Sequence, residues 1–471
     1  MTRALFALIA ALAAQLASAQ TLPPYNNLMA LPGGMEGAPI VVSNNPESVT
    51  REGLLLASDP MSTSVPGRVN RVLSQGVLDG ACASGSMREF AFYMHHILKT
   101  PTGTDRQVDR IFVFVEPASS GGATFNAYGA AISQRDVLGP VANSLDPGRS
   151  PSYSVSLAAL SGQLPDWVNN RADNFGSRFI NLQGRFISRP FPLVVLRGGV
   201  GSSLDARIKI RATSGCLRVR VVAASAAYPD ETSASQLGRS QYAWGNVHTT
   251  AATVGGAPCS DAAGIGWGRP AGIYRFERWS GSTSVSITNA TSSRGWQFLA
   301  APPNSLASGS CVMNPQTPTP SSASQRAPAL RYYQSNNTGV HGGRDSDPNS
   351  TASYGGEYLF NLSTTNRTGS CVTARLQITA YPGRLQCSAT GNASRHYDGA
   401  FRVRENGTAL PLVRAFVKCP TGPTASTIAS RVLRPNETVD WNVQGFIPGL
   451  IAAPGGLLLN TVPAVAAGPG C

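Results

Sequence analysis

The sequence has very few lysines, and it lacks the short motifs that most often identify an enzyme. Only three of its 38 basic residues are lysines, which leaves 35 arginines. It contains no G-x-S-x-G turn, no H-E-x-x-H pattern, no G-x-x-x-x-G-K phosphate loop and no C-x-x-C pair. These absences argue against the common serine hydrolases, zinc proteases and P-loop nucleotide enzymes, and against zinc ribbons and thioredoxin-like redox sites.

Long apolar runs are also missing from most of the chain. The richest stretch, residues 445–470, is interrupted by Pro448, Pro454 and Pro463. A membrane-spanning helix needs roughly 20 predominantly apolar residues. We therefore predict that the exported chain has no transmembrane span.

The first nineteen residues have the three parts of a secretory signal peptide. Arg3 supplies the positive start, residues 4–16 are apolar, and residues 17–19 read Ala-Ser-Ala, a typical cleavage site. We expect the mature chain to begin near Gln20. The predicted location is the periplasm, the outer envelope or the extracellular space.

The eight cysteines follow this leader, and their even number in an exported chain favours disulfides. They are Cys82, Cys216, Cys259, Cys311, Cys371, Cys387, Cys419 and Cys471. Their spacing does not determine the pairing. Preferring local bridges, we expect Cys259 to pair with Cys311 and the last four to pair among themselves, so that Cys471 holds the C-terminus.

The charge is strongly positive, at a formal +13. Arginine suits bidentate contacts with phosphate or carboxylate. A genome rich in G and C would raise Arg, Ala, Gly and Pro together, and this is the simpler explanation of the ratio of Arg to Lys. Whatever its origin, the positive charge favours polyanionic partners.

Short strand-like runs separated by turn residues predict an all-β, β-rich fold. We expect two β-sandwich-like domains with long Gly/Pro/Ser-rich loops and little helix. The predicted divisions are a signal peptide at 1–19, an N-terminal β-domain at 20–228, a Gly/Pro-rich connecting region at 229–330 and a C-terminal β-sandwich at 331–471. The connecting region includes a short strand pair, "GIYRFERW" with "TSVSITNA".

The segment from Asp205 to Ser225 alternates apolar and basic residues on either side of "ATSGC". This pattern predicts a hairpin with one apolar face and one basic face. The basic face would carry Arg207, Lys209, Arg211, Arg218 and Arg220. Solvation, pairing with acidic side chains or a neighbouring subunit, or an external polyanion could each offset their repulsion. We treat these five basic residues as a candidate anion-binding site.

Two weaker candidates for metal binding are present. His95 and His96 are neighbours on a predicted strand, where they would point to opposite faces and could not chelate one ion together. A hydrogen-bonded structural role is the simpler interpretation. Asp345, Asp347 and Asn349 alternate as in a calcium loop, but the glycine and glutamate that an EF-hand requires are misplaced. No cofactor is predicted.

Five segments carry a resemblance to a known family: residues 31–59, 90–97, 205–225, 354–369 and 433–449. Among them are "LPGGMEGAPIVVSNNPESVTREGLLLASD", "FAFYMHHI" and "LRPNETVDWNVQGFIPG". With these segments the chain resembles the secreted bacterial family called domain of unknown function 3370. The resemblance implies an exported, β-rich envelope protein and supplies no mechanism.

These features favour an exported, non-enzymatic bacterial cell-envelope protein with a structural or a protein- or polymer-interaction role. Its expected partners are other envelope proteins or surface polymers. An extracellular protein that binds a polyanion, either an acidic polysaccharide or nucleic acid, is the alternative. A secreted hydrolase or metal-dependent enzyme is the second alternative.

Overall fold

The structure is a computed structural model, and it describes most of the two β-rich regions of the chain. The described residues are 22–23, 28–43, 48–58, 82–83, 85–101, 103–134, 178–240, 253–254, 257–258, 271–274, 277–297, 357–380, 396–411, 413–418, 424–446, 455–464 and 471. The predicted signal peptide, residues 1–19, lies outside them.

Within this part of the chain, the elements are almost all strands. The first twelve are β1 (Met29–Ala30), β2 (Gly34–Glu36), β3 (Ile40–Ser43), β4 (Ser48–Val49), β5 (Gly53–Ala57), β6 (Glu89–Leu98), β7 (Arg110–Pro117), β8 (Ala123–Gln134), β9 (Arg178–Ile187), β10 (Phe191–Arg197), β11 (Ser203–Ser214) and β12 (Leu217–Ala224). The helix α1 (Glu231–Ser240) follows. The remaining strands are β13 (Thr253–Val254), β14 (Ala257–Pro258), β15 (Ala271–Tyr274), β16 (Arg278–Ile287), β17 (Ser292–Gln297), β18 (Glu357–Asn366), β19 (Val372–Ala380), β20 (His396–Glu405), β21 (Thr408–Ala409), β22 (Val413–Lys418), β23 (Thr424–Leu433), β24 (Thr438–Phe446) and β25 (Gly455–Pro463).

Four larger sheets form two sandwiches, which confirms the predicted all-β, sandwich-like fold. Sheet I has the order β10-β7-β12-β5, and sheet II has the order β15-β3-β6-β11-β8-β9 with β4 beside β6. Sheet III has the order β2-β16-β18-β24-β20-β21 with β22 beside β20, and sheet IV has the order β1-β17-β25-β19-β23. One core lies between sheets I and II, and another lies between sheets III and IV.

Strand β7 shows why some strands are apolar throughout. Ile111, Val113 and Val115 face the core between sheets I and II. Phe112 and Phe114 face the other side, where they pack with residues of α1. Because both faces of this strand are covered, its sequence "RIFVFVEP" reads as a continuous apolar run rather than an alternation.

The helix α1 covers the outer face of sheet I. The Asp230 carboxylate accepts a hydrogen bond from the backbone N–H of Ser233 at 2.8 Å, which caps the first turn. Ala234 and Leu237 then pack on the aromatic side chains of β7. In the described part of the chain, no helix has the length and apolar character needed to cross a membrane.

The segment predicted to be a hairpin is instead a corner between two sheets, so that prediction is wrong. Strand β11 pairs with β6 and β8 in sheet II, whereas β12 pairs with β7 and β5 in sheet I. The turn passes through Gly215, whose φ is +71°. A Cβ at this position would lie 2.8 Å from the carbonyl oxygen of Gly122, so the corner requires glycine. Alternation identifies a strand with one face on a core, but it does not identify the strand's partner.

The strands do not follow the predicted divisions of the chain. β1 and β2 precede every strand of the first sandwich, yet they pair with β17 and β16 of the second. β15 pairs with β3 in sheet II, while β16 pairs with β18 in sheet III. The predicted strand pair of region 229–330 is therefore divided between the two sandwiches.

Among the residues that the structure describes, two disulfides close long loops. Cys82 pairs with Cys216 over 134 residues, and Cys371 pairs with Cys471 over 100 residues. The second bridge agrees with the prediction that the last four cysteines pair among themselves, and it holds the C-terminus. The other four, Cys259, Cys311, Cys387 and Cys419, lie outside the described residues.

Candidate functional site

The basic side chains of β11 face the second sandwich. Arg207 pairs in register with Tyr93 of β6, and Tyr93 belongs to the same buried cluster as Trp279 and Tyr358 of sheet III. The Arg207 side chain is only 1% exposed, and that of Lys209 is 21% exposed. The basic face of sheet II is thus covered by sheet III at these positions.

Four charged residues meet at this contact, and we call them the buried ion network: Arg207, Lys209, Glu277 and Glu357. Arg207 Nη2 donates to Glu277 Oε2 at 2.9 Å. Lys209 Nζ lies 3.2 Å from Glu277 Oε1 and 3.5 Å from Glu357 Oε2. Two cations of the first sandwich are therefore neutralised by two carboxylates of the second.

The two carboxylates are held by the strands of sheet III. Glu277 immediately precedes β16, and Glu357 is the first residue of β18. The backbone N–H of Glu357 donates to the Glu277 carbonyl at 3.1 Å, which brings the two residues side by side. Gln444 of β24 donates through Nε2 to Glu357 Oε1 at 2.6 Å. The acidic half of the network is therefore built from three neighbouring segments of one sheet.

The basic partners determine the protonation state of Glu277. Burial by itself would raise the pKa of this carboxyl, because the charged form loses its solvation. The charges of Arg207 and Lys209, with their hydrogen bonds, outweigh burial, and the pKa lies below the ordinary value of 4.5. Glu277 is consequently ionised at neutral pH, as a buried ion pair requires.

The basic residues of β12 have a separate environment. Arg220 Nη1 donates to Glu116 Oε1 of β7 at 2.8 Å, and both side chains are buried. Arg218 stands opposite Glu116 in the strand register and is partly buried. Arg211, by contrast, is 72% exposed and lies 3.9 Å from Glu89.

Solvation, one of the alternatives left open by the sequence, therefore does not apply to Arg207 and Arg220, whose side chains are buried. The reason is physical: the second sandwich covers Arg207, and Glu116 on the adjacent strand neutralises Arg220. Pairing with acidic side chains of the same chain, one of the alternatives left open by the sequence, accounts for Arg207, Lys209 and Arg220. The five basic residues do not form one surface, because β11 and β12 belong to different sheets.

The histidine pair lies on β6, with the two rings on opposite faces as predicted. His96 Nε2 is 2.9 Å from Ser43 Oγ of the neighbouring strand β3. His95 Nδ1 is 2.6 Å from Asp205 Oδ1 of β11. Both histidines are fully buried, so each ring is held in a hydrogen bond between strands.

Among the described residues, no three His, Cys, Asp or Glu side chains are grouped so that they could hold a metal ion. His95 accordingly has one acidic partner and no set of ligands around it in this part of the chain. The other weak metal candidates, Asp345, Asp347 and Asn349, lie outside the described residues.

The sequence patterns did not identify the acidic partners. Glu277 occurs in "RFERW", where Phe276 precedes it and Trp279 follows two positions later. Such an acid is a candidate for burial against a cation, because a buried carboxylate needs a partner of opposite charge. Nothing in the sequence indicates that its partner is Arg207, which lies 70 residues away.

No family model matches the chain, and no curated protein matches it. Among solved structures, the chain is similar to one from infectious bursal disease virus strain Gx, at 9% identity over 77% of this chain, with a TM-score of 0.13. It spans 58% of that viral chain. It is also similar to the N-terminal CBM22-1–CBM22-2 tandem domain of Xyn10C from Paenibacillus barcinonensis, at 6% identity over 88% of this chain and 99% of that one, with a TM-score of 0.12. TM-scores this low support no conclusion about fold or function.

Proposed function

We propose that this protein is an exported, non-enzymatic component of a bacterial cell envelope, with a structural or interaction role. The leader at residues 1–19, the disulfides and the resemblance to domain of unknown function 3370 support export. Other envelope proteins or surface polymers are the proposed partners.

One observation carries the structural part of the proposal: the buried ion network joins the two sandwiches. Arg207 and Lys209 of sheet II contact Glu277 and Glu357 of sheet III within a boundary that also buries apolar residues. Removing Glu277 would leave the buried Arg207 guanidinium without its counter-charge, which is strongly unfavourable. The network therefore favours one fixed arrangement of the two sandwiches, as a load-resistant or ligand-presenting scaffold requires.

The same contacts weaken the alternative of polyanion binding. Four of the five basic residues, Arg207, Lys209, Arg211 and Arg220, already pair with carboxylates of the chain. A polyanion would have to compete with these internal partners, of which the exposed pair of Arg211 with Glu89 is the most accessible. Hydrolytic or metal-dependent activity gains no support from the buried His95, because a substrate would have no access to it.

Export is tested by producing the full chain in a bacterial host with residues 1–19 present or deleted. The expected result is that the full chain reaches the envelope fraction, begins near Gln20 and carries the Cys82–Cys216 and Cys371–Cys471 bridges in peptide maps made without reductant. The deleted form should remain in the cytoplasm with reduced cysteines. A full chain that remains in the cytoplasm with its N-terminus uncleaved would contradict the proposal.

The interaction role is tested on the mature chain by cosedimentation with purified envelope material from which proteins have been stripped. Glu277→Gln should lower the retained fraction only to the extent that it unfolds the protein, because the ion network acts on the scaffold. Absence of cosedimentation with both stripped and untreated envelopes would contradict an interaction role.

A further inference from the structure

The outer face of sheet III contains a polar depression that the functions discussed so far leave unused. It has a volume of about 640 Å³ and lies over the central strands of the sheet. We call it the sheet III depression. Its polar side chains include Ser282, Ser284, Asn361, Arg404, Asp440 and Asn442.

Strand alternation explains why these side chains lie together. In β18 the even-numbered residues Tyr358, Phe360 and Leu362 are buried against sheet IV, so Asn361 points outward. The register places Asn361 beside Asn442 of β24 and Ser282 of β16. The floor of the depression is therefore built by rigid, hydrogen-bonded strands rather than by loops.

Two amides in the floor are oriented by each other. Asn442 Nδ2 donates to Asn361 Oδ1 at 2.6 Å. This hydrogen bond leaves the Asn361 Nδ2 group as a donor and the Asn442 Oδ1 atom as an acceptor for a ligand. At the rim, the Asn406 side chain accepts from the backbone N–H of Asp440 at 2.9 Å, which fixes the turn beside the depression.

The charges in the depression differ from those of the buried ion network. Arg404 and Asp440 are both exposed, and neither side chain makes an ion pair or hydrogen bond within the described residues. Among the residues that line the depression, one guanidinium and one carboxylate are accompanied by amides and hydroxyls. A second guanidinium, Arg402, lies two residues along β20, where burial and the charge of Arg404 lower its pKa. A polyanion would meet Asp440, and a polycation would meet Arg404.

A neutral sugar matches this set of groups better than an ion does. Each sugar hydroxyl both donates and accepts, so it can use carboxylate and amide acceptors as well as guanidinium and amide donors. Hydrogen bonds to charged partners are the stronger ones. The volume is within the range of small-molecule sites, and Ser284, Asn361 and Asp440 around it are exposed to solvent.

We propose that the sheet III depression binds a neutral polysaccharide. This inference rests on the proposed interaction role, and it assigns that role to one surface and one class of polymer. The expected contacts are hydroxyl groups on Asp440, Arg404 and the two oriented amides.

The test is affinity electrophoresis of the full mature chain in gels that contain a defined polymer. The neutral probes are a soluble glucan and a galactomannan, and the anionic probes are polygalacturonate and double-stranded DNA. We expect at least one neutral probe to retard the protein. Because no net charge is neutralised, moderate salt should leave this retardation unchanged, unlike binding to a polyanion.

Two variants test the site, each with a matched control on the outer face of sheet IV. Arg404→Gln should weaken binding about tenfold, the usual size of one lost hydrogen bond to a charged group. Ser284→Tyr should block the depression. Arg375→Gln and Ser430→Tyr change the same residue types at exposed positions of β19 and β23, and they should bind like the wild type. All four substitutions lie at exposed positions, and their unfolding midpoints serve to verify folding.

The inference is supported if a neutral probe retards the wild type and both control variants, and if both site variants are retarded less. It is overturned if only anionic probes retard the protein, if no probe does, or if the controls lose as much binding as the site variants. If the chain reaches the envelope but binds no neutral probe, this inference is wrong and the proposed function is unaffected. If the chain stays in the cytoplasm yet binds a neutral probe through the depression, the proposed export is wrong and this inference is unaffected.

Discussion

Glu277 lies 2.9 Å from Arg207 across the boundary between the two sandwiches, and both side chains are almost completely buried. The basic partner belongs to the middle of β11, and the acidic partner directly precedes β16. A buried pair of this kind stabilises the arrangement mainly because neither charge tolerates the loss of the other. The contact therefore makes the relative position of the two sandwiches sensitive to a single side chain.

Replacing this carboxylate should be costly. Glu277→Gln keeps the size of the side chain but leaves the buried Arg207 without its counter-charge, and we expect a loss of about 3–5 kcal/mol in the free energy of unfolding. Glu36→Gln is the control, because Glu36 pairs with Arg278 at 2.9 Å on the surface and such pairs contribute less than about 1 kcal/mol. Urea unfolding of both variants gives the comparison. Equal losses for the two variants would show that burial of the Arg207 pair is not important.

The stability should depend on pH through the same carboxyl. The pKa of Glu277 is lower in the folded protein than its ordinary value of 4.5, so its contribution is complete above the unfolded pKa and is lost as the pH falls through the folded pKa. Urea midpoints of the wild type and Glu277→Gln, measured from pH 7 to pH 3, should therefore converge below about pH 4.5. A difference between them that grows on acidification would have the wrong sign.

Removing the C-terminal bridge should destabilise the second sandwich. Cys371 and Cys471 close a loop of 100 residues, and losing such a bridge typically costs about 2–4 kcal/mol. The double variant Cys371→Ala/Cys471→Ala is compared with the wild type by urea unfolding under non-reducing conditions. Cys82→Ala/Cys216→Ala is the parallel variant for the first sandwich. Unchanged midpoints in both would argue that neither bridge restricts the unfolded chain.

A close crossing of two backbone segments should tolerate no side chain. A Cβ on Gly281 would lie 1.9 Å from the carbonyl oxygen of Pro32, and one on Gly33, where φ is +119°, would lie 2.0 Å from that of Ser280. Gly281→Ala must therefore push the N-terminal segment away from β16, at a cost of about 1–3 kcal/mol. Gly34→Ala is the matched control, since no atom lies within 4 Å of its Cβ. Thermal midpoints compare the two, and similar values would exclude strain at the crossing.

The local pattern of the sequence predicted the strands and their inward faces well. Ile208 and Ile210 of β11 are buried in the core between sheets I and II, as are Val219 and Val221 of β12. This success follows from the alternation of side chains along a strand, which needs only neighbouring residues. The opposite faces of His95 and His96 follow from the same rule.

What covers the other face of a strand depends on distant parts of the chain. Alternation gives Arg207 and Arg211 the same outward direction, yet the first is buried beneath sheet III and the second is 72% exposed. Only the position of Glu277, after the chain has left the first sandwich, distinguishes them. The sheet III depression was missed for a similar reason, because three separate strand pairings bring its residues together.

The route of the chain through the two sandwiches has a consequence for synthesis. β1 and β2 leave the ribosome first, but their partners β17 and β16 emerge about 250 residues later. The earliest strands can therefore pair only with segments far along the chain, and such long-range pairing is slow. A gene divided between the two sandwiches would remove the edge strands β1 and β2 from the second sandwich. Producing the second sandwich alone therefore requires residues 28–36 to be included.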